Sequence, residues 1–304
     1  MAYLTIFTAP KPFTNPHIAM IQRNALESWL RLGPEVEVLM IGDEEGVAET
    51  ARFMGIQHLP GVECNASGTP LISSIFDLAR QNSSGALLAY VNADIVLLPD
   101  LLAGVKKIAE QRKKFLLVGQ RWDLQIDIPL DFSEGWLQRL KAEIENRGRL
   151  HPPSGSDYFV FPRTCFTEIP DFAVGRAGWD NWMIYKARRQ GWAVVDGTRD
   201  IRIVHQDHDY SHLPNGEPHY RLPETFENVR LAGGKRTIFH LEDVNWRLID
   251  GRLRRPAAGW KKFWREVEIF PLIKLRSMLL GQAFFAVFHL KKAYGELRHK
   301  NGAG

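Results

Sequence analysis

The sequence contains only two cysteines in 304 residues, Cys64 and Cys165. They are far apart and lack the close spacing of a metal or redox pair. A disulfide-built secreted scaffold is therefore not expected, and a reduced, cytosolic setting is the default. No apolar run reaches the roughly 18–20 residues that span a bilayer. The longest, MLLGQAFFAVFHL from Met278 to Leu290, is too short. The opening MAYLTIFTAPK has no basic segment leading into an apolar stretch, so no signal peptide is expected. There is no internal repeat and no low-complexity segment. Charge of neither sign dominates: the net charge is +4, which gives no reason to expect a nucleic-acid partner.

What is present is ordinary globular material, 45% hydrophobic and 24% charged, in a length that suits one large domain or a domain with an appendage. The first half alternates strand-like and helix-like segments. Tyr3 to Thr8 and Val36 to Asp43 read as strands, and Pro16 to Leu32 as a helix with Ile21, Ala25 and Trp29 four apart. Glu44 to Met54 and Gly68 to Gln81 read as helices, the second with Pro70 in its first turn. Ala86 to Val91 is a continuous apolar strand, Pro99 to Arg112 a helix, and Lys114 to Gln120 another strand. Repeated β-α-β units predict a mostly parallel sheet flanked by helices. After Trp122 the connections become long and polar. A short strand at Ser156 to Pro162, a helix from near Asp180 to Gly191 and two strands in AVVDGTRDIRIVHQ are expected there.

One interruption stands out. Asn92-Ala93-Asp94 breaks an apolar run that resumes at Ile95, where a buried strand should surface. In open α/β sheets ligands bind at that edge. A plain polar turn is the competing reading. Arg121, Trp122 and Asp123 follow a second strand end. An arginine there suits bidentate diphosphate contact, a tryptophan suits stacking on a sugar face, and an aspartate suits hydroxyls. A structural ion pair is the alternative.

Asn92-Ala93-Asp94 resembles the Asp-X-Asp-type signature of GT-A glycosyltransferases, with Asn in place of the first acid. VNADIVLLPD, VGQRWDL, GSDYFVFP, GRAGWDNWMIYKARRQG and IVHQDHDYSH, in that order, resemble a bacterial, family-2-like set of these enzymes whose acceptor is unassigned. The resemblance covers about Ala2 to Arg254. It implies a GT-A-type fold over residues 1–255 and transfer of a sugar from a nucleotide-diphosphate donor to a hydroxyl acceptor. It also implies a divalent cation, Mn2+ or Mg2+, held by Asp94 with His205 as a further ligand. Such a cation neutralises charge building on the diphosphate leaving group.

By the same resemblance Thr8, Ala9, Pro10 and Asp43 cradle the nucleotide base. Ser73 lies near the ribose, and Asn92 and Trp179 join the nucleotide-sugar contacts. Asp180 is the expected base of an inverting reaction, with an N-cap as its other reading. Asp157 falls where donor-sugar or acceptor contacts are expected and is taken with Asp180 as catalytic. His205, His208 and His212 with Asp207 and Asp209 also raise a zinc site, which no cysteine or His-Glu-X-X-His pattern accompanies. Two other functions stay open. One is a degenerate, carbohydrate-binding relative, hinted at by Asn92. The other is a sugar-phosphate nucleotidyltransferase, disfavoured because TAPKPFTNPH has no glycine and a single lysine.

Residues 256–304 form different material. Nine Lys/Arg against three Glu give this tail a charge of +6, and it mixes them with Trp, Phe and Leu. A basic amphipathic helical extension of this kind suits peripheral contact with the inner face of the plasma membrane. Packing on the main domain or a homodimer contact suits it equally.

Overall fold

The computed structural model describes residues 2–208 and 222–301, with the backbone alone for 297–301. Asp209 and His212 lie outside the described residues. The strands are β1 (Leu4–Thr8), β2 (Val36–Ile41), β3 (Gln57–Leu59), β4 (Leu87–Val91), β5 (Ile95–Leu97), β6 (Phe115–Val118), β7 (Trp122–Leu124), β8 (Arg149–Leu150), β9 (Tyr158–Pro162), β10 (Ala193–Asp196), β11 (Ile203–Gln206), β12 (Trp246–Ile249) and β13 (Arg252–Arg254). The helices are α1 (Pro16–Leu30), α2 (Val47–Met54), α3 (Ile72–Gln81), α4 (Asp100–Gln111), α5 (Trp136–Arg147), α6 (Trp179–Arg189), α7 (Pro223–Leu231), α8 (Trp260–Ile273), α9 (Met278–Phe288) and α10 (Leu290–Asn301).

β1 and β4 are buried along their whole length, as a strand covered on both faces must be. They sit side by side and parallel in a nine-stranded sheet of order β13-β12-β10-β6-β9-β4-β1-β2-β3. Most pairings are parallel, in keeping with the expected α/β class. β9 is the exception at the centre, antiparallel to both β4 and β6. One apolar layer joins α1, α2 and α4 to the sheet, and a second joins α3, α6 and α8 to its other face.

The run after Asn92-Ala93-Asp94 does not simply lead into a helix. Ile95–Leu97 forms β5, the edge of a separate four-stranded sheet of order β5-β11-β7-β8. Asn92-Ala93-Asp94 is therefore the junction where the chain leaves one sheet for the other. The second sheet covers a small core of its own, which includes Val96, Leu124, Leu140, Ile144 and Val204. α5 supplies Leu140 and Ile144 to it, in a region expected to be irregular.

Local chemistry explains the element ends near the junction. α1 starts at Pro16 because the Asn15 side chain accepts from the His17 and Ile18 amides, at 2.9 and 3.1 Å. α3 begins at Ile72, later than the sequence implies. Pro70 instead pairs in a bridge with Cys64, and Leu71 with Ala173. Trp29 on α1 is fully buried and its indole N–H donates to the Ile95 carbonyl at 2.8 Å. Gln206 on β11 donates to the carbonyls of Ile21 and Asp94, at 2.7 and 3.1 Å, and accepts from Asn24 at 2.9 Å. These bonds clamp α1 and β11 on either side of the junction.

Asp100, in the first turn of α4, has one buried carboxylate oxygen with no partner among the described residues. Burial pushes its pKa up to about 6, against small opposing effects that include the Arg202 amide. An unfolded aspartate titrates near 3.9. The folded state thus holds the proton more tightly, and its advantage is present below about pH 4 and lost as pH rises toward 6. Asp100→Asn is expected to raise stability by about 1 kcal/mol at neutral pH and to leave it unchanged near pH 4. Urea unfolding at the two pH values reads the difference.

Candidate active site

A cleft of about 440 Å3 opens at the carboxyl ends of β1, β2 and β4. Ala9 to Pro12 follow β1, Gly42 and Glu44 follow β2, and Asn92 to Asp94 follow β4. Arg121, Asp157, His205 and His208 complete the polar side, and Thr69, Pro70 and Arg176 line it as well.

Register brings the polar groups together. β9 runs against β4 with Tyr158 opposite Val91, and the Asn92 amide donates to the Asp157 carbonyl at 2.9 Å. Asp157 is thereby fixed beside Asn92, whose side-chain amide donates to Asp157 Oδ1 at 2.9 Å. β11 runs beside β7 with His205 opposite Asp123, and against β5 with His205 opposite Ile95. The second sheet thus carries His205 and Asp123 to the junction that holds Asp94.

Asp94 is the centre of the cluster. Its Oδ2 lies 3.1 Å from His208 Nε2, 4.0 Å from His205 Nε2 and 3.9 Å from Lys11 Nζ. Its Oδ1 is buried with no hydrogen-bond partner among the described residues. Burial by itself would raise the Asp94 pKa. The hydrogen bond with His208 and the charges of His205 and Lys11 outweigh it and hold the carboxyl well below the usual range. Lys11 is shifted down, because desolvation exceeds the pull of Asp94 and Asp157. Its ammonium also sits 3.3 Å from His208 Nε2.

A second cluster adjoins the first. Arg121 Nη1 donates to both Asp157 oxygens at 2.8 Å, and its Nε donates to Asp123 Oδ1 at 2.8 Å. Asp123 Oδ2 lies 2.8 Å from His151 Nδ1. His205 Nδ1 is 3.2 Å from Asp123 Oδ1, within ion-pair reach but off the axis of a good hydrogen bond. Burial opposes the charge on His205, yet Asp123 and Asp94 raise its pKa on balance. Asp94, His205 and His208 present one oxygen and two imidazole nitrogens close enough to share an ion. Asp123, His205 and Asp207 form a second such group on the other ring nitrogen. One carboxylate oxygen with two imidazole nitrogens suits a divalent transition-metal cation, and the orphaned Asp94 Oδ1 leaves acceptor capacity for one.

Of the residues singled out in the sequence, Ala9, Pro10, Asn92, Asp94, Arg121, Asp157 and His205 line the cleft. The other candidates stand elsewhere. Thr8 is fully buried at the end of β1. Asp43 is exposed and accepts from the Gly61 amide at 2.8 Å. Ser73 donates to Asp171 at 2.7 Å. Trp122 packs on the core of the second sheet. Trp179 is buried, with the rings of Tyr90 and Phe159 both centred 5.1 Å away, so it packs in the protein core. Asp180 is half-buried in the first turn of α6 and accepts from the Gly178 amide at 3.1 Å. Gly178 has φ +111°, a conformation that favours glycine at this turn. Desolvation raises the Asp180 pKa.

Lys11 and His208 join the site without having been assigned to it from the sequence. Lys11 had a legible signal, as the single cation in the loop after β1. The sequence places His208 only in a candidate zinc group with His205 and His212, because its proximity to Asp94 depends on how two sheets meet.

No family model matches the chain, and no curated protein matches it. In three dimensions it is similar to the glucosyl-3-phosphoglycerate synthase of M. tuberculosis, at 15% identity over 77% of this chain and 81% of that one, with a TM-score of 0.47. It is similar to S. aureus TarS in complex with UDP-GlcNAc at 14% identity, covering 76% and 65% of the two chains, TM-score 0.46. It is also similar to the mannosyltransferase PcManGT from Pyrobaculum calidifontis in complex with GDP-Man and Mn2+, at 16% identity, 68% and 58% coverage and TM-score 0.43. Likeness of this size concerns the course of the chain alone, and no residue's role is taken from it.

Proposed function

We propose that the protein is a GT-A-type glycosyltransferase that moves a sugar from a nucleotide-diphosphate donor to a hydroxyl acceptor. The observation that carries the reading is Asp94: a half-buried carboxylate with one buried, orphaned oxygen, flanked by His205, His208 and Lys11, in a cleft at the carboxyl ends of parallel strands. A cleft at the carboxyl ends of the strands is where nucleotides bind in open α/β sheets.

Asp94, His205 and His208 would hold the divalent cation, which supplies Lewis-acid neutralisation of the diphosphate leaving group. Lys11 adds a second positive charge at the same wall. Arg121 is already engaged by Asp123 and Asp157, so its role is to position Asp157 and to tie the two sheets together. Asp157 accepts from Arg121 and Asn92 and has little capacity left to take a proton. Asp180, outside the cleft lining but near enough to Asp157 to feel its charge, is therefore the proposed base. Its desolvated carboxyl has a raised pKa, which suits proton uptake from an acceptor hydroxyl and an inverting reaction.

Asp180→Asn is expected to lower kcat by about 10²–10⁴-fold, the usual worth of general-base catalysis, with donor binding retained. Turnover assays against UDP- and GDP-linked sugars with Mn2+ read it. Full turnover by the variant would remove the base assignment. Donor cleavage by neither wild type nor variant, despite nucleotide binding, would favour the carbohydrate-binding reading instead.

A further inference from the structure

α9, MLLGQAFFAVF, has no charged residue and is apolar on nearly every side. A helix of that composition is normally buried all round. Here only Gly281 of its eleven residues is buried. A Cβ at Gly281 would fall 2.1 Å from Leu272 Cδ2, so α9 comes closest to α8 at a point where only glycine fits. Leu279 is 86% exposed and Val287 72%, with Leu280 exposed beside them.

The exposed surface continues onto α8. Trp260 and Trp264 have ring centres 5.2 Å apart, and Trp264 lies 5.7 Å from Phe288 on α9. Phe263 packs against both tryptophans and is itself exposed. Cations bracket α9 at both ends: Lys274 and Arg276 before it, Lys291 and Lys292 after it. All four are exposed, and none has an ion-pair partner among the described residues. α8 itself is firmly seated. Arg265 makes two bonds to buried Asp243, at 2.7 and 3.0 Å, and Glu266 pairs with Arg188 at 2.7 Å. The apolar face is thus held on a rigid support.

We propose that α8 and α9 form a docking face for an anionic phospholipid bilayer, with α9 lying in the headgroup layer. At 1.5 Å per residue α9 is about 16 Å long, roughly half the hydrocarbon thickness. No helix among the described residues is long and apolar enough to cross a membrane. With the exposed tryptophans of α8 beside it and Lys/Arg at both its ends, uncharged α9 suits the interfacial mode, in which apolar side chains enter the acyl boundary and cations meet lipid phosphates. A second copy of the chain is the weaker occupant. A two-fold contact places the same patch against itself, so the four cations of each copy would crowd together. The inference goes beyond sugar transfer and does not rest on it.

Flotation of the full-length protein with vesicles tests it. Vesicles of equal parts phosphatidylcholine and phosphatidylglycerol are expected to carry the protein up, and phosphatidylcholine alone to bind it at least about tenfold more weakly. Leu279→Glu with Val287→Glu, and separately Lys291→Glu with Lys292→Glu, should each weaken binding about tenfold or more. Because these side chains are exposed, the melting temperature should not move. Failure of the wild type to float with anionic vesicles, or undiminished flotation of the apolar-face variant, would overturn the proposal. So would an apolar-face variant that turns a sedimenting dimer into a monomer while the wild type ignores vesicles, which would assign the face to self-association. Nucleotide-induced stabilisation, measured on the same variants, keeps failure here separate from failure of the transferase reading.

Discussion

Asp94→Ala is expected to abolish the Mn2+-dependent rise in melting temperature that UDP or GDP produces in the wild type. A ligand that binds only the folded state stabilises it by mass action, by about 2.7 kcal/mol at a hundred times its Kd. For a chain of this size that is a shift of roughly 5 °C. Among the described residues Asp94 is the one carboxylate shared by His205, His208 and Lys11, so its loss removes the anionic ligand of the proposed cation site. It also takes away the carboxylate that Lys11, His205 and His208 share, so affinity for a divalent ion should fall sharply. The stability of the nucleotide-free variant is the control. The wild-type carboxylate is held in its charged form by those partners, and its removal should cost stability as well. A Mn2+-dependent shift that survives in the variant would place the cation elsewhere. A wild-type shift indifferent to Mn2+ would retain the nucleotide site and discard the metal.

Asp157→Ala is expected to cost about 3–5 kcal/mol in folding free energy, the usual penalty for removing one partner of a buried ion pair. Asp157 is buried, and both of its oxygens accept from Arg121. Removing it leaves Arg121 with Asp123 alone and strands the Asn92 amide. Burial alone would lower the Arg121 pKa, but Asp157 and Asp123 raise it overall, which marks how much that charge depends on them. Asp157→Asn preserves volume but offers one carbonyl oxygen where two acceptors are needed. It should therefore fall between wild type and alanine. Denaturant unfolding separates the three. A loss below about 1 kcal/mol in Asp157→Ala would show that the cluster is a solvated surface pair.

Much of the α/β frame was legible because it is written in local patterns. The strand-like LTIFT at Leu4–Thr8 and the apolar run Leu87–Val91 are buried strands, and the four-residue spacing of Ile21, Ala25 and Trp29 is the inner face of α1. The start of α6 beside Asp180 was legible too, from the glycine and acid that open it. α5 was passed over although Trp136, Leu140 and Ile144 stand four apart, a periodic signal hidden by a strongly charged outer face. The candidate site was half legible. Residues that end strands, such as Asn92, Asp94 and Arg121, could be picked out by polarity within apolar surroundings. Trp122 and Trp179 could not be told from sugar-stacking residues, because an aromatic side chain looks the same whether it meets a ligand or a core.

The sequence by itself determined the mostly parallel α/β character, the polar break after β4 and the basic, apolar tail. Each follows from side-chain period or composition within a dozen residues. Only the tertiary structure decided that the chain changes sheets at Asn92-Ala93-Asp94. The same holds for β9 inserting antiparallel beside β4 to deliver Asp157, and for β11 pairing with β7 so that His205 faces Asp123. Strand pairing joins segments about 70 to 110 residues apart, and a one-residue slip would turn each of those side chains to the opposite face. No local pattern carries that register, which is set by the whole core packing at once.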